Sequence, residues 1–257
     1  MTEPLKDRWL RSGIELGDTI LVHSNIKRTL IESRRAGLST SPTEILDSFL
    51  DAIGPTGTLL LPLFNFDFTS EVDFDIRNSP SQMGALTEAG RLHKYAVRTG
   101  HPIYSFAVIG NKSNQFKGVD NLSGYADDSP FGILKRLNGK IASLDLDDQD
   151  SMTFYHHIEE IKNVDYRYFK TFTGNYFGWD GVLKEKAYKL FVRDVDCGVK
   201  TDVNPAGELL WQAGLYKGFR PRVDTGLRVI KAVDMFNFVE KLIDDGKALG
   251  TLYSLEN

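Results

Sequence analysis

Short runs of apolar residues alternate with segments of helical periodicity through the first half of the chain. Continuous apolar runs are typical of buried strands, whereas apolar positions three and four residues apart indicate an amphipathic helix. We therefore predict that strands and helices alternate along this half. The predicted strands cover residues 18–23, 58–64, 104–110 and 140–146, and the predicted helices cover residues 3–12, 41–54, 79–95 and a short segment from 129.

The clearest helix start is the sequence Ser41-Pro42-Thr43-Glu44. Serine suits the capping position, proline suits the first helical position, and a glutamate at the third position can reach back to the cap. The turn formed by residues 54–57 then leads into the run 58–64, whose continuous apolar character suits a strand covered on both faces. The order of elements predicts an α/β fold.

The pattern changes between residues 166 and 195, where aromatic and basic residues alternate with turn formers. This composition predicts β-hairpins. Beyond it, we predict a helix from Asn204 to about Tyr216, a strand over residues 227–233 and a final helix capped by Asp234. We expect one domain over residues 1–257, in which residues 163–200 form a hairpin subdomain that covers a site.

The composition fits one large globular domain. Of the 257 residues, 41% are hydrophobic and 26% are charged, which provides enough apolar material for a sizeable core. The 31 basic and 35 acidic residues give a net charge of -4, and no basic block occurs. We therefore expect small-molecule ligands and neither nucleic-acid nor membrane partners.

Cysteine usage and the N-terminal sequence indicate a cellular setting. Cys197 is the only cysteine, which excludes a disulfide within the chain and favours a reducing, cytoplasmic environment. Its neighbours predict a strand in which the thiol is a small buried side chain. From the charged residues 1–13 we expect no signal peptide, and the longest apolar run, residues 59–63, is too short to span a bilayer.

Residues 150–160 carry two histidines and several carboxylates where a helix is expected. Side chains three residues apart on a helix are neighbours, so Glu159 can hold the imidazole of His156 in one tautomer, as a general base requires. The alternative is an ordinary charged, solvated helix face. The helix follows the predicted strand 140–146, and ligands gather at such strand-to-helix loops, which favours the functional interpretation.

Six segments of the chain carry a resemblance to a known family. They are residues 17–24, 54–59, 79–88, 101–110, 129–132 and 153–159. In this order and spacing, they resemble the aminoglycoside 3-N-acetyltransferase family of coenzyme A-dependent acyltransferases. The resemblance covers most of residues 15–162.

The resemblance implies a three-layer α/β/α sandwich around a mixed central sheet, to which the hairpin region is added. It implies that His156 and Glu159 are the catalytic pair, and that acetyl-CoA or a longer acyl-CoA is the co-substrate, without a metal. Exposed backbone donors and a lysine at a strand end suit a phosphate-bearing cofactor. The residues implied to bind it are Ser24, Asn25, Ile26, Lys27, Gln82, Met83, Gly84, Ser105, Phe106 and Ala107.

The implied reaction is direct acyl transfer to the amino group of an amino sugar. Neutral His156, oriented by Glu159, takes the proton of the acceptor ammonium, while backbone donors stabilise the oxyanion. Direct transfer is favoured because the sequence shows no convincing nucleophile. His157, where the family often has an apolar or aromatic residue, adds a second imidazole that competes for the base role. We rank His156 first because it alone is in register with the family.

The chain departs from the aminoglycoside-acting members at two places, and the second departure puts the acceptor, not the cofactor, in doubt. Ser24-Asn25 stands where those members commonly have two small residues. Residues 145–148 include three aspartates. The aminoglycoside-acting members have a glycine-bearing segment at this place. These departures favour a different acceptor, a dTDP- or UDP-linked amino-deoxysugar.

Two acceptor classes therefore remain open. A nucleotide-linked sugar has a diphosphate and a base, and we expect Arg167 and Lys170 to bind them, with His157 as a further substrate contact. A polycationic aminoglycoside would instead be attracted by the acidic residues of 145–150. Outside the transferases, a CoA thioesterase would use the same pair with water, and a non-catalytic sugar-binding protein would keep only the fold.

Overall fold

The structure is a computed structural model that describes residues 3–256. Its helices are α1 (Leu5–Arg11), α2 (Lys27–Arg35), α3 (Pro42–Ile53), α4 (Ala85–Arg91), α5 (Pro130–Arg136), α6 (Asp148–Ser151), α7 (Phe154–Lys162), α8 (Asn204–Gln212) and α9 (Ala232–Asp244). Its strands are β1 (Thr19–Ser24), β2 (Thr58–Pro62), β3 (Phe74–Asp75), β4 (Val97–Arg98), β5 (Phe106–Gly110), β6 (Lys140–Leu144), β7 (Arg167–Phe177), β8 (Leu183–Arg193), β9 (Val199–Thr201), β10 (Lys217–Gly218), β11 (Leu227–Lys231) and β12 (Tyr253–Leu255).

The central sheet has seven strands in the order β10-β11-β6-β1-β2-β5-β4. β1 lies in the middle and pairs in parallel with β2 on one side and with β6 on the other. The outer strands run antiparallel to their inner neighbours. The sheet is therefore mixed, and the strand ends at which β1 and β6 stop lie next to each other.

Successive side chains of the central strands enter two different cores because a strand points them alternately to its two faces. Leu21 of β1 packs with Phe154 of α7 in one core, whereas Ile20 and Val22 pack with Phe49 of α3 in the other. All five side chains are 0% exposed. Helices α5, α7 and α9 cover the first face and α1, α3 and α4 the second. This arrangement confirms the predicted α/β/α sandwich.

The predicted hairpin region is also present. β7 and β8 pair antiparallel along their whole length, from Arg167 opposite Arg193 to Phe177 opposite Leu183, and β3 pairs in parallel with β7. A separate two-stranded sheet joins β9 to β12. The hairpin therefore lies outside the central sheet. Its first strand begins at Arg167, shortly after α7 ends at Lys162.

The predicted capping box at the start of α3 is confirmed. The backbone N–H of Glu44 donates to the Ser41 hydroxyl, and the backbone N–H of Ser41 donates to the Glu44 carboxylate. The helix predicted from residue 79 is wrong in its extent, because α4 begins only at Ala85. Gly84 has a φ of +107°, which is incompatible with a continuous right-handed helix. Residues 79–84 are therefore a loop.

The basic segment after β1, for which no element was predicted, is helix α2. Two further expectations are corrected. Cys197 is exposed in a turn, because the Asp194 carboxylate accepts a hydrogen bond from its backbone N–H after β8 has ended at Arg193. Asp234 lies within the first turn of α9 and does not cap it, since that helix begins directly after β11. Within the described residues, no helix is both long and apolar enough to cross a membrane.

Candidate active site

The segment between β6 and α7 is held in place by a buried ion pair. Asp148 lies 2.7 Å from the guanidinium of Arg228 on β11, and its other oxygen accepts hydrogen bonds from the hydroxyls of Tyr155 and Tyr216, each at 2.7 Å. Arg228 is 1% exposed. Because β11 pairs with β6, these bonds fix the start of α7 relative to the edge of the sheet.

The predicted pair His156 and Glu159 is formed on α7. Nδ1 of His156 lies 2.7 Å from Oε2 of Glu159, and the Tyr166 hydroxyl donates to Oε1 of Glu159 at 3.0 Å. The Glu159 side chain has no exposed surface, whereas 19% of the His156 side-chain surface is exposed. The carboxylate is thus enclosed, and the imidazole keeps access to ligands.

The two groups of the pair have perturbed pKa values. Burial favours the neutral form of Glu159, but Arg167 and His156 outweigh it and hold the pKa of this carboxyl below its ordinary value. Burial also lowers the pKa of His156, and Arg167 lowers it further against the opposing effect of Glu159. At neutral pH the pair is therefore a carboxylate beside an uncharged imidazole, which can accept a proton.

Three clefts lie around this pair, and His156 borders two of them. The large cleft, about 690 Å³, lies where β1 ends. The central cleft, about 240 Å³, lies between the start of α7 and the loop after β2. The hairpin cleft, about 360 Å³, lies between His156 and strands β7 and β8. His23, Met83 and Asp150 border both the large and the central cleft, and His156 borders both the central and the hairpin cleft. The three clefts therefore form one path past His156.

Most of the residues expected to bind the cofactor meet at the large cleft. The seven that border it are Ser24, Asn25, Ile26, Lys27, Gln82, Met83 and Gly84. They come from the end of β1 and from the loop before α4. The Gln82 side chain accepts a hydrogen bond from the backbone N–H of Phe66 and donates to Asp67, which holds this loop against the one after β2.

The remaining three expected cofactor residues do not border the cleft. Phe106 and Ala107 lie within β5, and Ser105 directly precedes it; all three are 0% exposed. The Ser105 hydroxyl donates to the carbonyl of Leu63 and lies beside the Arg98 guanidinium. This placement corrects the expectation for Ser105, Phe106 and Ala107, because side chains sealed in the sheet reach no ligand.

Besides Lys27, which was expected at the site, helix α2 contributes three lining residues that were not predicted. Lys27, Leu30, Ile31 and Arg34 border the large cleft. Their spacing of three and four residues places them on one face of the helix. The same spacing is present in the sequence, and it is the signal from which these lining residues could be predicted.

The three residues expected to contact the substrate lie in different environments. His157 is 0% exposed, and its Nδ1 lies 2.7 Å from the backbone carbonyl of Tyr125, so a substrate contact through this ring is ruled out by burial. Lys170 is exposed and borders the hairpin cleft. Arg167 borders the same cleft, but its Nε lies 2.7 Å from Oε2 of Glu159.

The acidic residues before α7 also differ, since some are paired with arginines and others are exposed. Asp145 is paired with Arg28 at 2.8 Å, and Asp148 is paired with Arg228. Asp150 is exposed where the large and central clefts meet. Among residues 3–256, no cluster of three or more His, Cys, Asp or Glu side chains is arranged to hold a metal ion.

The chain was compared with known families and proteins. The family model described as aminoglycoside 3-N-acetyltransferase matches residues 21–244. Aminoglycoside N(3)-acetyltransferase IX of Micromonospora chalcea is 26% identical over 180 residues, which are 62% of this chain and 62% of the relative. Aminoglycoside N(3)-acetyltransferase IV of a Salmonella species is 25% identical over 160 residues, 61% of this chain and 58% of the relative. The chain thus spans about three fifths of these relatives' lengths.

A solved structure supports the same relationship at the level of the fold. The complex described as AAC-IIIb with CoASH superposes with a TM-score of 0.78 at 21% identity, covering 94% of this chain and 95% of the other. Because the family model matches far more than half of the chain, the family is established. The chain belongs to the aminoglycoside 3-N-acetyltransferase family.

Proposed function

We propose that the protein is an acyl-CoA-dependent N-acetyltransferase whose acceptor is an amino group of an aminoglycoside. The observation that carries this proposal is the His156–Glu159 pair, which borders a path leading into the large cleft. An uncharged imidazole backed by a buried carboxylate suits removal of a proton from an ammonium group. Membership of the family and the names of the relatives support both the donor and the acceptor class.

The lining of the large cleft fits a CoA thioester. Lys27 and Arg34 provide cations for phosphate groups, and Ile26, Leu30 and Leu86 provide an apolar wall for the pantetheine chain. When bound, acetyl-CoA supplies the activated acyl group. The cleft continues past His23 and Met83 into the central cleft, where the thioester end would come close to His156.

The residues of the pair then have defined roles in the transfer. Glu159 engages Nδ1 of His156, which leaves Nε2 as the nitrogen that accepts the acceptor's proton. The deprotonated amine then attacks the acyl carbon directly: the new C–N bond forms as the C–S bond of the thioester breaks, and CoA leaves as a thiol after taking up the proton held on Nε2. Because Glu159 is held by His156, Tyr166 and Arg167, the imidazole is oriented before any substrate binds.

An aminoglycoside acceptor fits the exposed carboxylate of the central cleft better than a nucleotide-linked sugar fits the hairpin cleft. Asp150 presents an exposed carboxylate at the edge of the central cleft, which attracts ammonium groups. The nucleotide-linked acceptor expected from the sequence is not supported by the relatives. The structure also weakens its basis, because Arg167 is engaged by Glu159 and only Lys170 of the two expected cations is fully available.

The proposal is tested with a panel of amines and acetyl-CoA, in which thiol release and the acetylated product are measured by absorbance and by mass spectrometry. The panel contains aminoglycosides, nucleotide-linked amino sugars and simple amino sugars, with a reaction lacking any amine as the control. We expect release only with an amine and the highest kcat/KM with an aminoglycoside. Equal release without an amine would identify a thioesterase, and preferred turnover of a nucleotide-linked sugar would overturn the acceptor assignment.

Asp150→Asn sharpens the acceptor test. If Asp150 attracts the polycation, this variant raises KM for the aminoglycoside several-fold and leaves KM for acetyl-CoA unchanged. Asp147→Asn is the matched control, because Asp147 is also exposed but borders none of the three clefts. A rise in KM for acetyl-CoA alone would place Asp150 on the donor side.

A further inference from the structure

Arg167 is the first residue of β7, and its guanidinium is buried against the catalytic pair. Its side chain is only 5% exposed, and Nε lies 2.7 Å from Oε2 of Glu159, the oxygen that also contacts His156. The two outer nitrogens are engaged elsewhere, one donating to the carbonyl of Phe191 at 2.9 Å and the other to the hydroxyl of Thr201 at 3.2 Å. All three nitrogens of the guanidinium thus face protein atoms.

The Nε contact is an ion pair and not an aligned hydrogen bond, because the N–H does not point at the carboxylate oxygen. Its effect is therefore chiefly one of charge. A buried carboxylate beside an imidazole stabilises the imidazolium, so by itself it would leave more of the histidine already protonated and unable to accept the proton of the acceptor. The Arg167 cation at the same carboxylate oxygen offsets the negative charge of Glu159. The same cation also repels a protonated His156 directly.

We propose that Arg167 is a positioning residue for the reaction: it fixes the Glu159 carboxylate and balances its charge, so that His156 remains an uncharged base ready for the acceptor ammonium. This inference rests on the proposed function. It replaces the expectation that Arg167 binds the substrate, because all three guanidinium nitrogens already contact Glu159, Phe191 or Thr201 and are not free to bind a ligand.

The other groups around His156 do not take over this role. Glu159 contacts it from α7, the ring of Tyr125 lies with its centroid 5.4 Å from the imidazole centroid, and Arg193 of β8 acts on it only weakly. Asp148 and Asp150 border the central cleft together with His156, and Asp148 is already paired with Arg228. Arg167 is thus the cation that acts most strongly on the pair.

The test compares Arg167→Gln, which removes the charge, with Arg167→Lys, which retains it. Lys170→Gln is the matched control, because Lys170 borders the same cleft without touching Glu159. The pH dependence of kcat/KM is measured for each variant. Without the cation the imidazolium is stabilised, so the pKa of His156 rises and the acidic limb of the profile moves to higher pH by about one pH unit.

We expect Arg167→Lys to keep the limb within a few tenths of a pH unit of the parent protein and Lys170→Gln to leave it unchanged. KM for the acceptor should change by less than about twofold in Arg167→Gln, as for a residue that touches no substrate. A raised acceptor KM with an unmoved limb would show that Arg167 binds substrate. A uniform loss of rate at every pH would assign it a purely structural role. Both results overturn the proposal.

A measurement without substrate separates this inference from the proposed function. NMR titration of the labelled histidine rings gives the pKa of His156 in the parent protein and in each Arg167 variant. A value below the ordinary 6.5 or so in the parent protein, rising in Arg167→Gln, supports the inference even if no amine is acetylated. A value in the parent protein above the ordinary one contradicts it, and that result stands even if Arg167→Gln fails to fold.

Discussion

Nδ1 of His156 lies 2.7 Å from Oε2 of Glu159, which is three residues later on the same face of α7. The contact uses one ring nitrogen and leaves the other for a ligand. It also fixes the plane of the ring, because the carboxylate is itself held by the Tyr166 hydroxyl and has no exposed surface. A base oriented in this way loses little entropy when it accepts a proton.

Replacement of His156, the proposed base, should abolish most of the proposed acetyl transfer without unfolding the protein. We expect His156→Ala to lower kcat by about 100-fold or more, the usual contribution of a general base, with an unchanged melting temperature within a few degrees. His93→Ala is the control, since this histidine borders none of the three clefts. A loss of less than tenfold in initial-rate kinetics would remove His156 from the chemistry.

His157→Ala should lower the stability of the protein and have little effect on its activity. His157 is 0% exposed and its Nδ1 contacts the carbonyl of Tyr125, so truncation leaves a cavity and an unpaired carbonyl. We expect the free energy of unfolding to fall by about 2–4 kcal/mol, while kcat of the folded fraction stays within a few-fold of the parent value. Urea unfolding combined with kinetics at low temperature measures both quantities. Normal stability with a large loss of kcat would restore His157 as a candidate base.

Residues on one face of α2 should affect binding of the donor. Lys27→Ala and Arg34→Ala remove cations from the large cleft. Each should raise KM for acetyl-CoA several-fold with little change in kcat, because the phosphate groups of CoA are remote from the acyl carbon that reacts. Arg35→Ala, which changes the next residue on the helix, is the control because Arg35 does not border the cleft. Calorimetry with CoA provides the direct measurement, and equal affinities for all three variants would place the donor elsewhere.

The buried pair of Asp148 and Arg228 should dominate the stability of the segment before α7. Asp148→Ala leaves the guanidinium of Arg228, 1% exposed, without its carboxylate and leaves two tyrosine hydroxyls without their acceptor. We expect a loss of about 3–5 kcal/mol in the free energy of unfolding. The same change at the exposed Asp147 should cost less than about 0.5 kcal/mol. Similar losses at both positions in urea unfolding would contradict this assignment.

The buried histidines should make the protein less stable in mild acid. Burial lowers the pKa of His23 to about 3 and those of His101 and His157 to about 4. Each folded-state pKa lies below the unfolded value of about 6.5, so the unfolded chain binds protons first and stability falls as the pH drops from about 6.5 towards 4. We expect a loss of about 1 kcal/mol per histidine between pH 7.5 and 5.5, measured by urea unfolding. His101→Gln should reduce this loss, and equal stabilities at the two pH values would refute the prediction.

The sequence by itself determined the elements that depend on neighbours along the chain. The capping box at Ser41 and the contact between His156 and Glu159 both join residues three apart, and helical geometry brings such residues together in any setting. The continuous apolar runs likewise identified the strands of the sheet and their burial on both faces. The resemblance to the family added the order of the layers and the loops that border the large cleft.

Only the tertiary structure decided what each polar side chain does. Arg167 and Glu159 are close in sequence, but their ion pair requires a turn between α7 and β7, which spacing does not reveal. Asp148 resembles a surface acid in the sequence and is a buried partner of Arg228, eighty residues away. Likewise, Ser105 and His157 are polar residues enclosed by the sheet and the helices packed on it. Burial and charge pairing depend on segments that meet in space, and for this reason the role of an ionisable residue follows from the fold and not from its neighbours along the chain.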